Sequence, residues 1–142
     1  MKVFVTGATG FIGSAVATAF ARSGHETYGL VRTPGKERLL EAAEVVPVYG
    51  TMEEPDAWRP AAERCSVLVH CAVEYSEKSW DLHRAALGAL RDAGRDRIGR
   101  VLLATSGVWV CSAYWMTPSL SITKAERAEG SPMPAIPGKT TS

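Results

Sequence analysis

Apolar and polar positions along this 142-residue chain change period in a regular way. Lys2–Val5 (KVFV) is a short β-branched and aromatic run suited to a buried strand. It leads straight into Thr6-Gly7-Ala8-Thr9-Gly10-Phe11-Ile12-Gly13. Ser14–Arg22 follows, dense in alanine, and stops at Ser23-Gly24, which predicts a helix. Further apolar runs at Glu26–Val31, Val45–Tyr49, Val67–Cys71 and Arg100–Ala104 read as four more strands. Between them lie charged or amphipathic stretches, Lys36–Ala43, Pro55–Arg64 and Ser79–Ala93, with Pro55 suited to the first turn of its helix. Continuous apolar strands alternating with helices predict a parallel sheet covered on both faces. Right-handed crossovers give an α/β, doubly wound sheet of order 3-2-1-4-5, with a ligand crevice at the carboxyl ends of strands one and four.

The pattern fades after Val110. Residues 112–142 are rich in Ser, Thr and Pro and end SPMPAIPGKTTS, the composition of an irregular, disordered tail. The expected organisation is therefore one sheet domain over residues 1–111 and a tail over 112–142. A formal charge of +1 provides no general field for nucleic acid or acidic membranes, so neither is an expected partner. No apolar run approaches the roughly 20 residues of a membrane span, and the N-terminus lacks the basic-then-apolar layout of a signal peptide. Three scattered cysteines make no disulfide framework, which points to a reducing, cytoplasmic location.

The glycine-rich segment between strand and helix carries the chemistry. Gly7 permits a sharp turn out of the strand. Gly10 lets backbone approach a pyrophosphate with no Cβ in the way, and Gly13 lets the helix pack close to the sheet. The helix N-terminus then offers free N–H groups and about half a positive charge to phosphates. No Gly-Lys-Ser/Thr follows, which excludes a Walker-type loop. A dinucleotide is the expected ligand. The second strand ends Gly29-Leu30-Val31-Arg32 without the carboxylate that would favour NAD, while the Arg32 guanidinium suits a 2′-phosphate. NADP is thus expected over NAD.

TGATGFIG at the start, Val31-Arg32 after strand two, Val69-His70-Cys71-Ala72-Val73 after strand four and Leu103-Ala104-Thr105-Ser106-Gly107-Val108 after strand five together resemble the extended short-chain dehydrogenase/reductases. These include the NAD(P)-dependent epimerases, dehydratases and reductases. The resemblance spans about residues 1–110. It implies a Rossmann fold and cofactor contacts at Gly7, Thr9, Gly10, Phe11, Ile12 and Gly13, with Cys71, Ala72 and Val73 along the ribose and nicotinamide side. It also places Thr51-Met52 near the adenine, where Thr51 stands in the position of the family's usual acid. The family's chemistry needs a tyrosine acid/base, a lysine four residues on to lower its pKa, and a Ser or Thr hydroxyl for the substrate oxygen. Ser106 falls in the hydroxyl-bearing segment, and Lys124 fits the lysine of the frame Leu120-Ser121-Ile122-Thr123-Lys124, but leucine occupies the tyrosine position.

Two expectations from different classes follow. One is the N-terminal, truncated part of an epimerase, dehydratase or reductase for sugar-nucleotide or small carbonyl or hydroxyl substrates, with cofactor affinity and catalysis lost. The other is a non-catalytic dinucleotide-sensing or interaction module. In either case, apolar surface near strand five is expected to favour self-association. No metal site is expected: Cys65, His70 and Cys71 lack a ligand spacing, and His70 and Cys71 read as a buried structural pair. His25 is expected in a solvated turn and His83 on a helix surface, while Trp58, Trp80 and Trp109 are expected to pack against the sheet or its helices.

Overall fold

The computed structural model describes residues 1–95 and 98–106. Five strands alternate with four helices: β1 (Lys2–Thr6), α1 (Phe11–Arg22), β2 (Glu26–Val31), α2 (Glu37–Glu41), β3 (Val46–Tyr49), α3 (Pro55–Ala62), β4 (Val67–His70), α4 (Ser79–Gly94) and β5 (Val101–Ala104). All pairings are parallel and the strand order is β3-β2-β1-β4-β5, the doubly wound arrangement expected of the pattern. The proposed tail over 112–142, with Lys124, and Trp109 lie outside the described residues.

Strand alternation divides the core in two. Val3, Val5, Val31, Val67 and Val69 face one side, with Ala8, Ala17 and Leu40 in the same cluster. Phe4, Leu30 and Leu68 face the other, where Trp58 and Ala62 of α3 and Ala86, Leu90 and Ala93 of α4 cover them. Phe4 stacks on Trp58 with ring centroids 5.5 Å apart, and the indole N–H donates to the Thr51 carbonyl at 2.8 Å. Arg100 joins the ends of two helices on this side: its guanidinium donates to the carbonyls of Ala93 in α4 and Glu63 just past α3. Those carbonyls lack helical partners, and a cation there also meets the negative end of each helix dipole. Trp80 departs from expectation. It is exposed on α4, with the Arg84 guanidinium 5.7 Å from its ring centroid, a contact made in solvent rather than in the core.

The two described edges of the sheet differ. β3 is short, half-exposed and carries Pro47, in register with Gly29. An imide without an N–H is tolerated at an edge and not in a central strand. β5 lies at the opposite edge with Val101, Leu102 and Leu103 exposed.

Element ends differ from the periodicity in two informative places. α1 begins at Phe11 rather than Ser14, so the last residues of the glycine motif form its first turn. β4 ends at His70, and Cys71 leaves the strand into the loop that follows. The turn between β1 and α1 is held by Gly7, in the left-handed region at φ 70°. A Cβ there would lie 2.5 Å from the Ala72 nitrogen. Gly24 has a similar φ of 78°, yet a Cβ there would meet nothing within 4 Å. Gly24→Ala should therefore cost only backbone strain, about 1–2 kcal/mol. Gly7→Ala should cost at least twice as much in urea unfolding, because the Ala72 backbone has to move as well.

Candidate functional site

The carboxyl ends of β1, β2 and β4 open on a trough of about 580 Å³, within the size range of small-molecule sites. Its floor is the glycine turn. Gly10 donates its N–H to the Gly7 carbonyl at 2.9 Å, closing the turn, and Ser14 N–H bonds Gly10 O at 2.9 Å as the first helical bond. The N–H groups of Phe11, Ile12 and Gly13 are thereby left at the helix start without acceptors in their own helix. Gly13 is buried behind them, and a Cβ on it would lie 2.0 Å from the Gly7 carbonyl oxygen. The helix can approach the strand end this closely only because Gly13 has no side chain.

Three loops complete the walls. From the β1 turn come Gly7, Thr9, Gly10, Phe11 and Ile12. Past β2 come Arg32, Thr33 and Lys36, and past β3 come Gly50, Thr51, Met52 and Glu53. Past β4 come Cys71, Ala72, Val73, Glu74 and Tyr75, with Leu82 from α4. The trough therefore gathers Gly7, Thr9, Gly10, Phe11, Ile12, Arg32, Met52, Cys71, Ala72 and Val73, all singled out in the sequence. Gly13 supports it from beneath. Ser106 is exposed and is not among the lining residues. Lys36, Glu53, Glu74 and Tyr75 carried no usable periodic signal. For Lys36, the basic residue in the turn after Arg32 was a readable hint.

A chain of hydrogen bonds fixes the strand ends behind the trough. Thr6 Oγ1, at the end of β1, lies 2.7 Å from His70 Nδ1, at the end of β4. His70 Nε2 lies 2.9 Å from His83 Nδ1 on α4, with the two rings edge to face. Thr105 donates both its N–H and its hydroxyl to the His70 carbonyl. His83 is thus half-buried and bonded to the core, not the surface group expected from its helix position. His70 is buried as expected. Burial, with the facing His83 adding to it, pushes the His70 pKa down to about 4 from 6.5. Burial also raises the thiol pKa values of Cys65, to about 11, and of Cys71, which disfavours thiolate at both. Among the described residues no group of three or more His, Cys, Asp or Glu is placed to hold a metal ion.

The donor set suits an anionic, two-ended ligand. Free amides at a helix N-terminus match a pyrophosphate, the glycine floor leaves room for its backbone contacts, and Arg32 and Lys36 put positive charge at the β2 end.

Below pH about 6.5 the unfolded chain takes up a proton at residue 70 that the folded chain refuses until about pH 4. Stability should therefore fall as pH drops through that window, by up to about 3 kcal/mol, and be unaffected by this group above it. His70→Asn should flatten that part of the profile, measured as urea midpoints from pH 7.5 to 4.

Comparison with known proteins agrees with this geometry. The family model described as NAD dependent epimerase/dehydratase family matches residues 3–94. A ketoreductase of Stigmatella aurantiaca, acting on 4-hydroxy-2-methyl-3-oxo-4-farnesyl-3,4-dihydroquinoline-1-oxide, is 31% identical over 110 residues, covering 71% of this chain and 33% of the relative. An uncharacterized protein of Schizosaccharomyces pombe is 40% identical over 72 residues, 51% of this chain and 24% of its own. Among solved structures, the binary complex of leucoanthocyanidin reductase and NADPH from Vitis vinifera superposes with a TM-score of 0.53 at 29% identity over 66% of this chain and 33% of that one. The yeast methylglyoxal/isovaleraldehyde reductase Gre2, complexed with NADPH, shares the fold with a TM-score of 0.60 at 21% identity, covering 75% of this chain and 37% of its own. The chain thus spans a quarter to a third of the length of the curated relatives it matches. Its sheet order, its glycine turn and the match over residues 3–94 together make it a member of the NAD-dependent epimerase/dehydratase family, with that family's NAD(P)-binding Rossmann fold.

Proposed function

We propose that this chain holds NADP in preference to NAD, as the cofactor-binding part of a reductase, epimerase or dehydratase acting on small carbonyl or hydroxyl substrates or sugar nucleotides. The observation that carries the preference is the end of β2. Arg32 and Lys36 line the trough there, and the strand ends without a carboxylate to receive a ribose hydroxyl. In this reading the amides of Phe11, Ile12 and Gly13 receive the pyrophosphate, Thr51 and Met52 border the adenine, and Cys71, Ala72 and Val73 flank the nicotinamide side. The nicotinamide supplies hydride transfer when bound; the chain's own residues bind and orient it.

Leu120 stands where the family's frame places a proton-transferring tyrosine, which supports binding without turnover by residues 1–142 and keeps a dinucleotide-sensing or interaction module as the second reading. Ser106 and Lys124 are the residues of the catalytic frame that this sequence does contain. Exposed Val101, Leu102 and Leu103 support self-association, and no helix among the described residues is long and apolar enough to cross a membrane. A cytoplasmic location belongs to the same reading.

Arg32→Asp tests the preference. A charge-assisted contact to a phosphate contributes about 1.5–3 kcal/mol, so the variant should weaken NADP binding tenfold or more while NAD changes little, by calorimetric titration. Equal loss for both dinucleotides would remove Arg32 from 2′-phosphate recognition.

A further inference from the structure

Two loops of opposite charge meet across the trough. Arg32, past β2, donates from Nη1 to Glu74 Oε2, past β4, at 2.9 Å. β2 and β4 flank β1 in the sheet, so the ion pair joins the loops on either side of the strand from which the glycine turn departs. Both residues line the trough. The carboxylate is the better anchored partner: its side chain is 24% exposed against 68% for Arg32, and its Oε1 accepts the Tyr75 N–H at 3.1 Å. One carboxylate oxygen is held by its own loop while the other is presented to the guanidinium.

We propose that Glu74 is a specificity-tuning residue that competes with a ribose 2′-phosphate for Arg32 and so limits how strongly NADP is preferred over NAD; this rests on the reading of Arg32 given above. The reasoning is electrostatic. A 2′-phosphate brings up to two negative charges to the guanidinium that Glu74 already occupies. It must then displace the carboxylate or share the guanidinium with it at the cost of like-charge repulsion. NAD presents a neutral hydroxyl at the same place and meets no such repulsion. Lys36 on the same wall adds positive charge for either anion, and Glu53 lies past β3. The competition is therefore selective for the phosphorylated dinucleotide.

The pair is partly exposed, which bounds its influence. Exposed ion pairs couple weakly, so releasing Arg32 is expected to change affinity about two- to fivefold. Glu74→Gln keeps the shape and the Tyr75 contact while removing the charge. Titrated calorimetrically with NADP and with NAD at low and at high salt, it should bind NADP two- to fivefold more tightly and NAD within twofold of the parent. The gain should shrink as salt rises, and it should shrink in an Arg32→Ala background. Equal weakening of both dinucleotides would overturn the proposal and make the pair a strap over the ligand, and no change in either would overturn it too. If Arg32→Asp discriminates between the dinucleotides and Glu74→Gln does not, this proposal alone fails. If Arg32→Asp does not discriminate, the NADP reading beneath it fails.

Discussion

The architecture of the site depends on three stretches of backbone that touch with no side chain between them. Gly13 at the start of α1 sits against the Gly7 carbonyl, and Gly7 sits against the Ala72 backbone after β4. Such contact draws the first helix, the first strand and the fourth strand to one point. It also aims the unpaired amides of α1 into the space between the flanking loops. The trough is the consequence of that convergence, because the loops after β2, β3 and β4 close around a floor that cannot be raised by a single methyl group.

Behind the floor, packing and polar contacts reinforce the same geometry from opposite sides of the sheet. On one side the valines of β1, β2 and β4 pack with Ala17 and Leu40. On the other, Trp58 ties α3 to Phe4 and, through its indole N–H, to the carbonyl of Thr51, itself a lining residue. The Thr6–His70–His83 chain connects the ends of β1 and β4 to α4. Core and site are thus not separable: the residues that make the sheet stable also set the heights of the loops that face the ligand.

Much of this was legible in the sequence, for identifiable reasons. Continuous apolar runs such as Val3-Phe4-Val5 and Val67-Leu68-Val69 report two buried faces, and right-handed crossovers through the intervening helices give the strand order. The glycine motif reports a turn because its three glycines do different steric work. What stayed hidden depends on side chains meeting across long separations. Nothing local to His83 announces His70, 13 residues away, and nothing near Arg32 announces Glu74, 42 residues on. Both lie where periodicity ends, in a loop or on a helix face whose partner is set only by the fold. Trp80 shows the converse, a large apolar residue at helical spacing that stays in solvent beside Arg84.

Pro47 has a consequence for how the sheet can grow. With no N–H at this position, a four-residue border strand is a poor template for another chain's backbone. β5 has no such interruption among its Val101–Ala104 residues. One margin of the described sheet is therefore blunted by its own covalent chemistry, while the opposite margin, among the described residues, keeps every backbone N–H.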